Sequence, residues 1–201
     1  MIGVLKGWVT EVNSMHNGKV KVPEHNYTER ELTVVQILKN EIGSGLKSLL
    51  NVGFHHWNDP RKHWWIKICE ANNIDWKIVE VFGPNILNAI ADGCPEHKIT
   101  QKNIMDVDAL PEADCLMFWH GPEHLDKTEF LKILPDLESK YGTLIFGMPL
   151  GSEPQGAVYG NPDEEHVSAW TTQEWKDLGY VVIEVHDKRV HQHITAYKGL
   201  V

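Results

Sequence analysis

The chain has 201 residues, 42% of them hydrophobic and 23% charged, which suits a soluble globular protein with one substantial core. Its formal net charge of −9 argues against sequence-independent nucleic-acid binding, which needs a basic face. Three cysteines without CxxC spacing (Cys69, Cys94 and Cys115) argue against a disulfide framework or a cysteine zinc site, and buried free thiols suit a reducing compartment. With no leader pattern and no apolar run near the ~18 residues of a membrane span, a cytoplasmic protein without membrane contact is expected.

Residues 1–27 carry Gly3, Gly7, Gly18 and Pro23 and only weak periodicity. They read as an N-terminal extension, with short strands expected around Val4–Val12 and Lys19–Val22. The rest, 28–201, reads as one domain, because no linker, repeat or low-complexity segment interrupts it. Thr28 with Glu31 forms a capping box. It opens a helix with Leu32, Val35, Ile37 and Leu38 toward a core and an end near Gly43. Ser48–Gly53 is a short apolar run, read as a buried strand that stops on a glycine. Asp59-Pro60 is an N-cap with proline at the first helical position, and that helix runs to Asn72. Trp64 and Trp65 are adjacent on it, so one is expected on the sheet and the other at an interface.

Trp76–Phe82 is a second strand, Asn85–Ala91 a short helix, and Lys98–Thr100 a third strand. Ala113–Trp119 is a fourth. Asp126 with Glu129 caps a helix ending at Tyr141-Gly142, and Thr143–Met148 is a fifth strand. A loop rich in proline and glycine spans Pro149–Trp170. Thr171 with Glu174 caps a last helix ending at Gly179. Tyr180–His186 and His191–Tyr197 close the chain as a hairpin. Strands separated by single helices predict a parallel sheet with helices on both faces, here with an antiparallel pair at its end.

Several of these segments match one family. Leu49–Gly53 is similar to a first motif in which a strand runs into a glycine loop. Val79-Glu80-Val81 ends the second strand on an acid. Asn103–Leu110 carries Asp106 and Asp108. Asp114–Leu125 closes on Pro122-Glu123-His124-Leu125. Thr143–Pro149 is followed by a loop histidine, His166, and a helix ending Leu178-Gly179-Tyr180. In this order and spacing the chain, over about residues 45–198, resembles the class I S-adenosylmethionine-dependent methyltransferases. The resemblance implies a Rossmann-like fold: a mostly parallel seven-stranded sheet with a C-terminal antiparallel hairpin. It also implies S-adenosylmethionine as cofactor, and with no basic cluster beside the site a small-molecule or glycan-like methyl acceptor is expected rather than a nucleic acid. The oligomeric state is not legible.

On that resemblance, Gly53, His55, Glu80, Asp106 and Trp119 are the expected cofactor contacts. Glu80 would accept the ribose hydroxyls and Asp106 the adenine amino group, with Asp108 a competitor. His55 and His56 either line the pocket or stand exposed. His120 and His166 are the expected general bases, since methyl transfer to a hydroxyl needs alignment and removal of a proton. Glu123, His124, Tyr159, Asn161 and Trp170 are expected on the acceptor side. The first motif departs from the family's acid-x-Gly-x-Gly: it reads Asn51-Val52-Gly53-Phe54-His55. Two other readings therefore stay open. One is a methyltransferase-shaped binding module without catalysis. The other is a metal-dependent RNA 2′-O-methyltransferase, because His120-Gly121-Pro122-Glu123-His124 with His166 resembles the metal motif of the small-RNA 3′-end enzymes. The expectation here is a site without metal. The same run matches the zinc-protease string His-x-x-Glu-His, but Gly121-Pro122 after a strand breaks the helix that string requires. His191-Gln192-His193 is read as an ordinary strand face.

Overall fold

The computed structural model describes residues 20–54, 63–158, 160–186 and 192–199. Helix α1 (Glu29–Ser44) starts on the Thr28–Glu31 capping box and ends on Gly45, whose φ of 114° lets it close the last turn. It buries Val34, Val35, Ile37 and Leu38, whereas Leu32, expected in the core, stands exposed. Strand β1 (Ser48–Val52) follows, then α2 (Trp64–Ala71), β2 (Asp75–Glu80), α3 (Gly83–Ala91) and β3 (Ile99–Gln101). The second half contributes β4 (Cys115–Trp119), α4 (Lys127–Lys140), β5 (Thr143–Pro149), α5 (Thr172–Asp177), β6 (Val181–Val185) and β7 (His193–Lys198).

The seven strands form one sheet in the order β3-β2-β1-β4-β5-β7-β6. The first five are parallel, and β7 runs antiparallel between β5 and β6. The order reverses between β1 and β4, which is where open α/β sheets form a crevice at the carboxyl ends of their strands. Successive residues of β1 serve opposite faces. Leu49 joins Val34, Ile37, Trp64, Ile68 and Ile78 under α1 and α2. Leu50 joins Phe130, Leu134, Phe146 and Trp175 under α4 and α5. This two-sided burial is what short, continuously apolar strands signal.

Some expectations change. Residues 20–22 form no strand; Lys21 instead exchanges backbone bonds with the Asn72 side chain, at 2.8 and 2.7 Å. Trp64 and Trp65 are both buried: Trp64 packs edge-on to Tyr27 and Trp65 edge-on to Trp76. The expected strand at Val4–Val12, the Asp59-Pro60 cap and the Asp187–Val190 turn lie outside the described residues.

Candidate functional site

A cavity of about 560 Å³ opens at the carboxyl ends of β1, β2 and β4. Its walls come from the β1 loop, the end of β2, residues 102–104, the end of β4, and the 149–170 loop. The volume suits a small molecule or cofactor.

Gly53 takes a φ of 75°, and the space around its Cα is open. A side chain here would force a backbone conformation that L-residues rarely adopt. The altered first motif explains its own shape. Asn51 is buried, and its amide Nδ2 donates to the Gly53 carbonyl at 2.6 Å, a bond that a carboxylate cannot donate. The Gly53 N–H in turn donates to the Val79 carbonyl at 2.7 Å. The loop is thus held by one bond within its own segment and one to the neighbouring strand β2.

Glu80, at the end of β2, is buried, and both of its oxygens face donors. Phe82 N–H donates to Oε1 at 2.8 Å and Phe54 N–H to Oε2 at 3.1 Å. Burial pushes its pKa up, and the bonds from Phe82, Phe54 and Asn85 partly offset this. Each carboxylate oxygen has two acceptor sites and the backbone donors take one on each, so the side chain retains acceptor capacity for a ligand hydroxyl. Asn85 also donates to the Phe54 carbonyl at 3.2 Å, so α3 holds the same loop.

At the end of β4 the backbone turns sharply, with His120 at a φ of 52°. The Trp119 ring lies across Gly147 of β5, so close that a Cβ there would meet ring atoms at 2.3 Å. Gly147→Ala is therefore expected to displace the indole and cost about 1–3 kcal/mol of stability by overpacking. Denaturant unfolding reads that cost, and an unchanged midpoint would show that the ring is free to yield.

Pro122–His124 form a single 3-10 turn. Val167 and Ser168 donate their N–H groups to the Glu123 carbonyl at 2.9 and 3.0 Å, which moors the 149–170 loop to this turn. The Glu123 side chain is 3% exposed, and neither oxygen has a hydrogen-bond partner. Its ligand atoms and those of His124 and His166 lie within 4.8 Å of one another. Proton placement in the two imidazoles follows from their partners. His124 Nδ1 faces the Glu165 carbonyl at 3.2 Å and His166 Nδ1 the Glu153 carbonyl at 2.5 Å. A carbonyl only accepts, so each Nδ1 carries the proton and each Nε2 is left with its lone pair.

His120 is a different case. The Arg30 guanidinium, which only donates, lies with Nη1 3.2 Å from His120 Nε2. His120 Nδ1–H points toward Glu123 Oε1 at 3.5 Å. Nε2 accepts from the guanidinium and Nδ1 carries the proton, so a general-base role for His120 would require Arg30 to release its one lone pair. His166 keeps one free.

The remaining expected residues divide. Gly53, Glu80, Trp119, His124, Asn161 and His166 all line the cavity, Asn161 with its side chain accepting from Asp163 N–H. Asp106 and Asp108 do not, and neither does Glu123, which was expected on the acceptor side; Lys102, Asn103 and Ile104 do. Trp170, expected at the acceptor, packs in the core against Phe130 and Trp175, since its large apolar ring gains more there. His55 and Tyr159 lie outside the described residues. Arg30 and His193 line the cavity and were not foreseen. His193, read as part of a strand face, opens β7, and there it is 1% exposed and packs on Trp119 at the cavity edge.

The neighbours in structure agree on one architecture. A S-adenosylmethionine-dependent methyltransferase from Archaeoglobus fulgidus superposes at a TM-score of 0.54 with 14% identity, covering 95% of this chain and 100% of that one. The methyltransferase domain of bacterial CtHen1 gives 0.53 with 20% identity over 84% and 97%. The mitomycin 7-O-methyltransferase MmcR gives 0.51 with 13% identity over 97% and 68%. The fold is the class I methyltransferase fold. No family model matches the chain, and no curated protein matches it in sequence. Among the described residues of this methyltransferase fold, no helix is long and apolar enough to cross a membrane.

Proposed function

We propose that this chain is a S-adenosylmethionine-dependent methyltransferase acting on a hydroxyl of a small-molecule or glycan-like acceptor. The observation that carries the reading is Glu80: a buried carboxylate at the end of β2, fixed by two backbone N–H groups beside a glycine turn, facing the cavity. The residues present fit the cofactor. Glu80 would take the ribose hydroxyls through charge-assisted bonds. Gly53 and Phe54 would let backbone approach the ligand, and Asn103 and Ile104 would border the adenine. When bound, the cofactor supplies an activated methyl group on a sulfonium. The chain's own part is to align the acceptor and take its proton. His166 suits the second task, with its Nδ1–H anchored to the Glu153 carbonyl and Nε2 open.

The chain is expected to bind S-adenosylhomocysteine with measurable heat in calorimetry, and soaked crystals to show the nucleoside against Glu80. No heat together with no density overturns the reading and favours a binding module of another kind.

A second reading is supported by one observation, the unpartnered Glu123 carboxylate beside His124 and His166. Two imidazoles with Nε2 lone pairs and one carboxylate form a donor set for a borderline divalent ion such as Zn²⁺ rather than Mg²⁺. The carbonyl partners of both Nδ1 atoms are the orienting contacts such ligands use. An ion there would hold and polarise the acceptor hydroxyl. His120, tied to Arg30, would not be a fourth ligand.

A further inference from the structure

The cavity has a second polar end that the functions assigned so far leave unused. Arg30 lies in the first turn of α1, 90 positions before the histidine it touches. Its guanidinium carries five N–H donors in a planar fork, and the bond to His120 uses one. No described carboxylate forms an ion pair with it; Glu31, its neighbour, accepts the Thr28 N–H in the capping box instead. An arginine that faces a cavity with no carboxylate paired to it is suited to receive an anion.

His193 supplies an independent pointer. It is 1% exposed, it lines the cavity, and neither ring nitrogen has a partner. Its ring is 4.8 Å from that of Trp119 and 5.0 Å from that of His120. Burial, then the nearby His120 and Arg30, hold its pKa well below the usual histidine range, so it is neutral and keeps one N–H donor. A buried donor without an acceptor is costly, and a ligand oxygen removes the cost. Of the acids lining the cavity, Glu31 adjoins Arg30 on α1 but turns its carboxylate to the Thr28 N–H, Glu80 ends β2, and Glu153, Asp163 and Glu164 sit on the 149–170 loop.

We propose that Arg30 and His193 form an oxyanion subsite that takes a carboxylate or phosphate group, with His120 holding the guanidinium in place. The inference rests on the methyltransferase reading and deepens it, because the anion has two sources. It is either the methionine carboxylate of the cofactor or an acidic group on the acceptor. An anionic acceptor would make Arg30 the residue that selects the substrate class.

Calorimetry on the full chain separates the sources. Wild type, Arg30→Met and Arg30→Lys are titrated with S-adenosylhomocysteine, with 5′-methylthioadenosine (the same nucleoside without the amino-acid tail), and with inorganic phosphate, before and after loading with S-adenosylhomocysteine. If the source is the cofactor, Arg30→Met loses at least about tenfold in affinity for S-adenosylhomocysteine and none for 5′-methylthioadenosine, and Arg30→Lys, which keeps the charge without the fork, falls between. If the source is the acceptor, both nucleosides bind all three proteins alike, and phosphate binds the loaded wild type but not loaded Arg30→Met. Phosphate binding that is absent from wild type or unchanged in Arg30→Met, with both nucleosides also unchanged, overturns the subsite. Should neither nucleoside bind wild type, the methyltransferase reading fails; phosphate binding to the free protein that is lost in Arg30→Met still supports the oxyanion site by itself. Thermal unfolding of each variant confirms that it folds.

Discussion

Glu80→Gln is expected to weaken S-adenosylhomocysteine binding by about 10- to 100-fold, the equivalent of losing one or two charge-assisted bonds at roughly 1.5–3 kcal/mol in total. The amide keeps the shape but replaces one acceptor oxygen with a donor. That donor faces either Phe82 N–H or Phe54 N–H, which only donate, or a ligand hydroxyl, which can accept it but only as a neutral bond weaker than the charge-assisted one it replaces. The loss should be equal for 5′-methylthioadenosine, since both ligands carry the ribose. This pattern differs from that of Arg30→Met, which spares the shorter nucleoside wherever the cofactor's own carboxylate is the anion. Calorimetry at pH 7 measures both. Equal affinity of wild type and Glu80→Gln would remove the basis for placing the ribose at β2.

The same carboxylate predicts a pH dependence. Burial raises its pKa above the usual value of 4.5, so the free folded protein holds that proton more tightly than the unfolded chain. The stability tied to this group is therefore present at pH values below 4.5 and is lost as pH rises through the raised value. Ligand binding runs the other way, because the ionised form is the stronger acceptor for a ligand hydroxyl. Affinity for S-adenosylhomocysteine is expected to fall as pH drops through the raised pKa, beginning above pH 4.5, and Glu80→Gln should flatten that profile. A wild-type profile that is flat from pH 7 down to 4.5 contradicts this account.

Much of this site was readable because parallel strands announce their ends. Gly53, Glu80 and Trp119 each follow a short apolar run, and an α/β sheet gathers such positions at one edge. The caps were equally plain: Thr28 with Glu31, Asp126 with Glu129 and Thr171 with Glu174 all form the bonds their spacing suggests. His193 escaped because β7 runs backwards. An antiparallel strand begins where its parallel neighbours finish, as the Pro149–His193 pairing shows, so its first residue belongs to the cavity edge. Attention to strand direction could have placed it. Arg30 had no such signal, since only tertiary packing brings the first turn of α1 to His120. Asp106 and Trp170 were misplaced for opposite reasons. A polar loop residue found no cavity to face, and an aromatic loop residue found a core. Asn51 looked like a lost acid in the sequence, yet in the fold its amide shapes the glycine loop.

Glu123→Met is expected to leave the metal-free protein as stable as wild type or more so, by up to about 1–3 kcal/mol. Removing a buried polar group that lacks partners relieves its desolvation cost, and methionine fills a similar volume. The Glu123 backbone carbonyl, which moors the 149–170 loop through Val167 and Ser168, is untouched by the change. Neither side-chain oxygen has a hydrogen-bond partner, and His120 Nδ1 stands 3.5 Å from Oε1, so the substitution breaks no hydrogen bond of ordinary length. In chelator, the variant's unfolding midpoint should therefore match or exceed that of wild type. Added Zn²⁺ at 100 times its Kd should raise wild-type stability by about 2.7 kcal/mol and leave Glu123→Met unmoved. His166→Ala should also lose the metal response, since it removes one of the two imidazole ligands. A wild type that does not respond to the ion would instead make Glu123 a carboxylate waiting for an acceptor hydroxyl. Such a group would still have its unmet lone pairs satisfied by substrate, and Glu123→Met would then weaken the acceptor's KM without any dependence on metal.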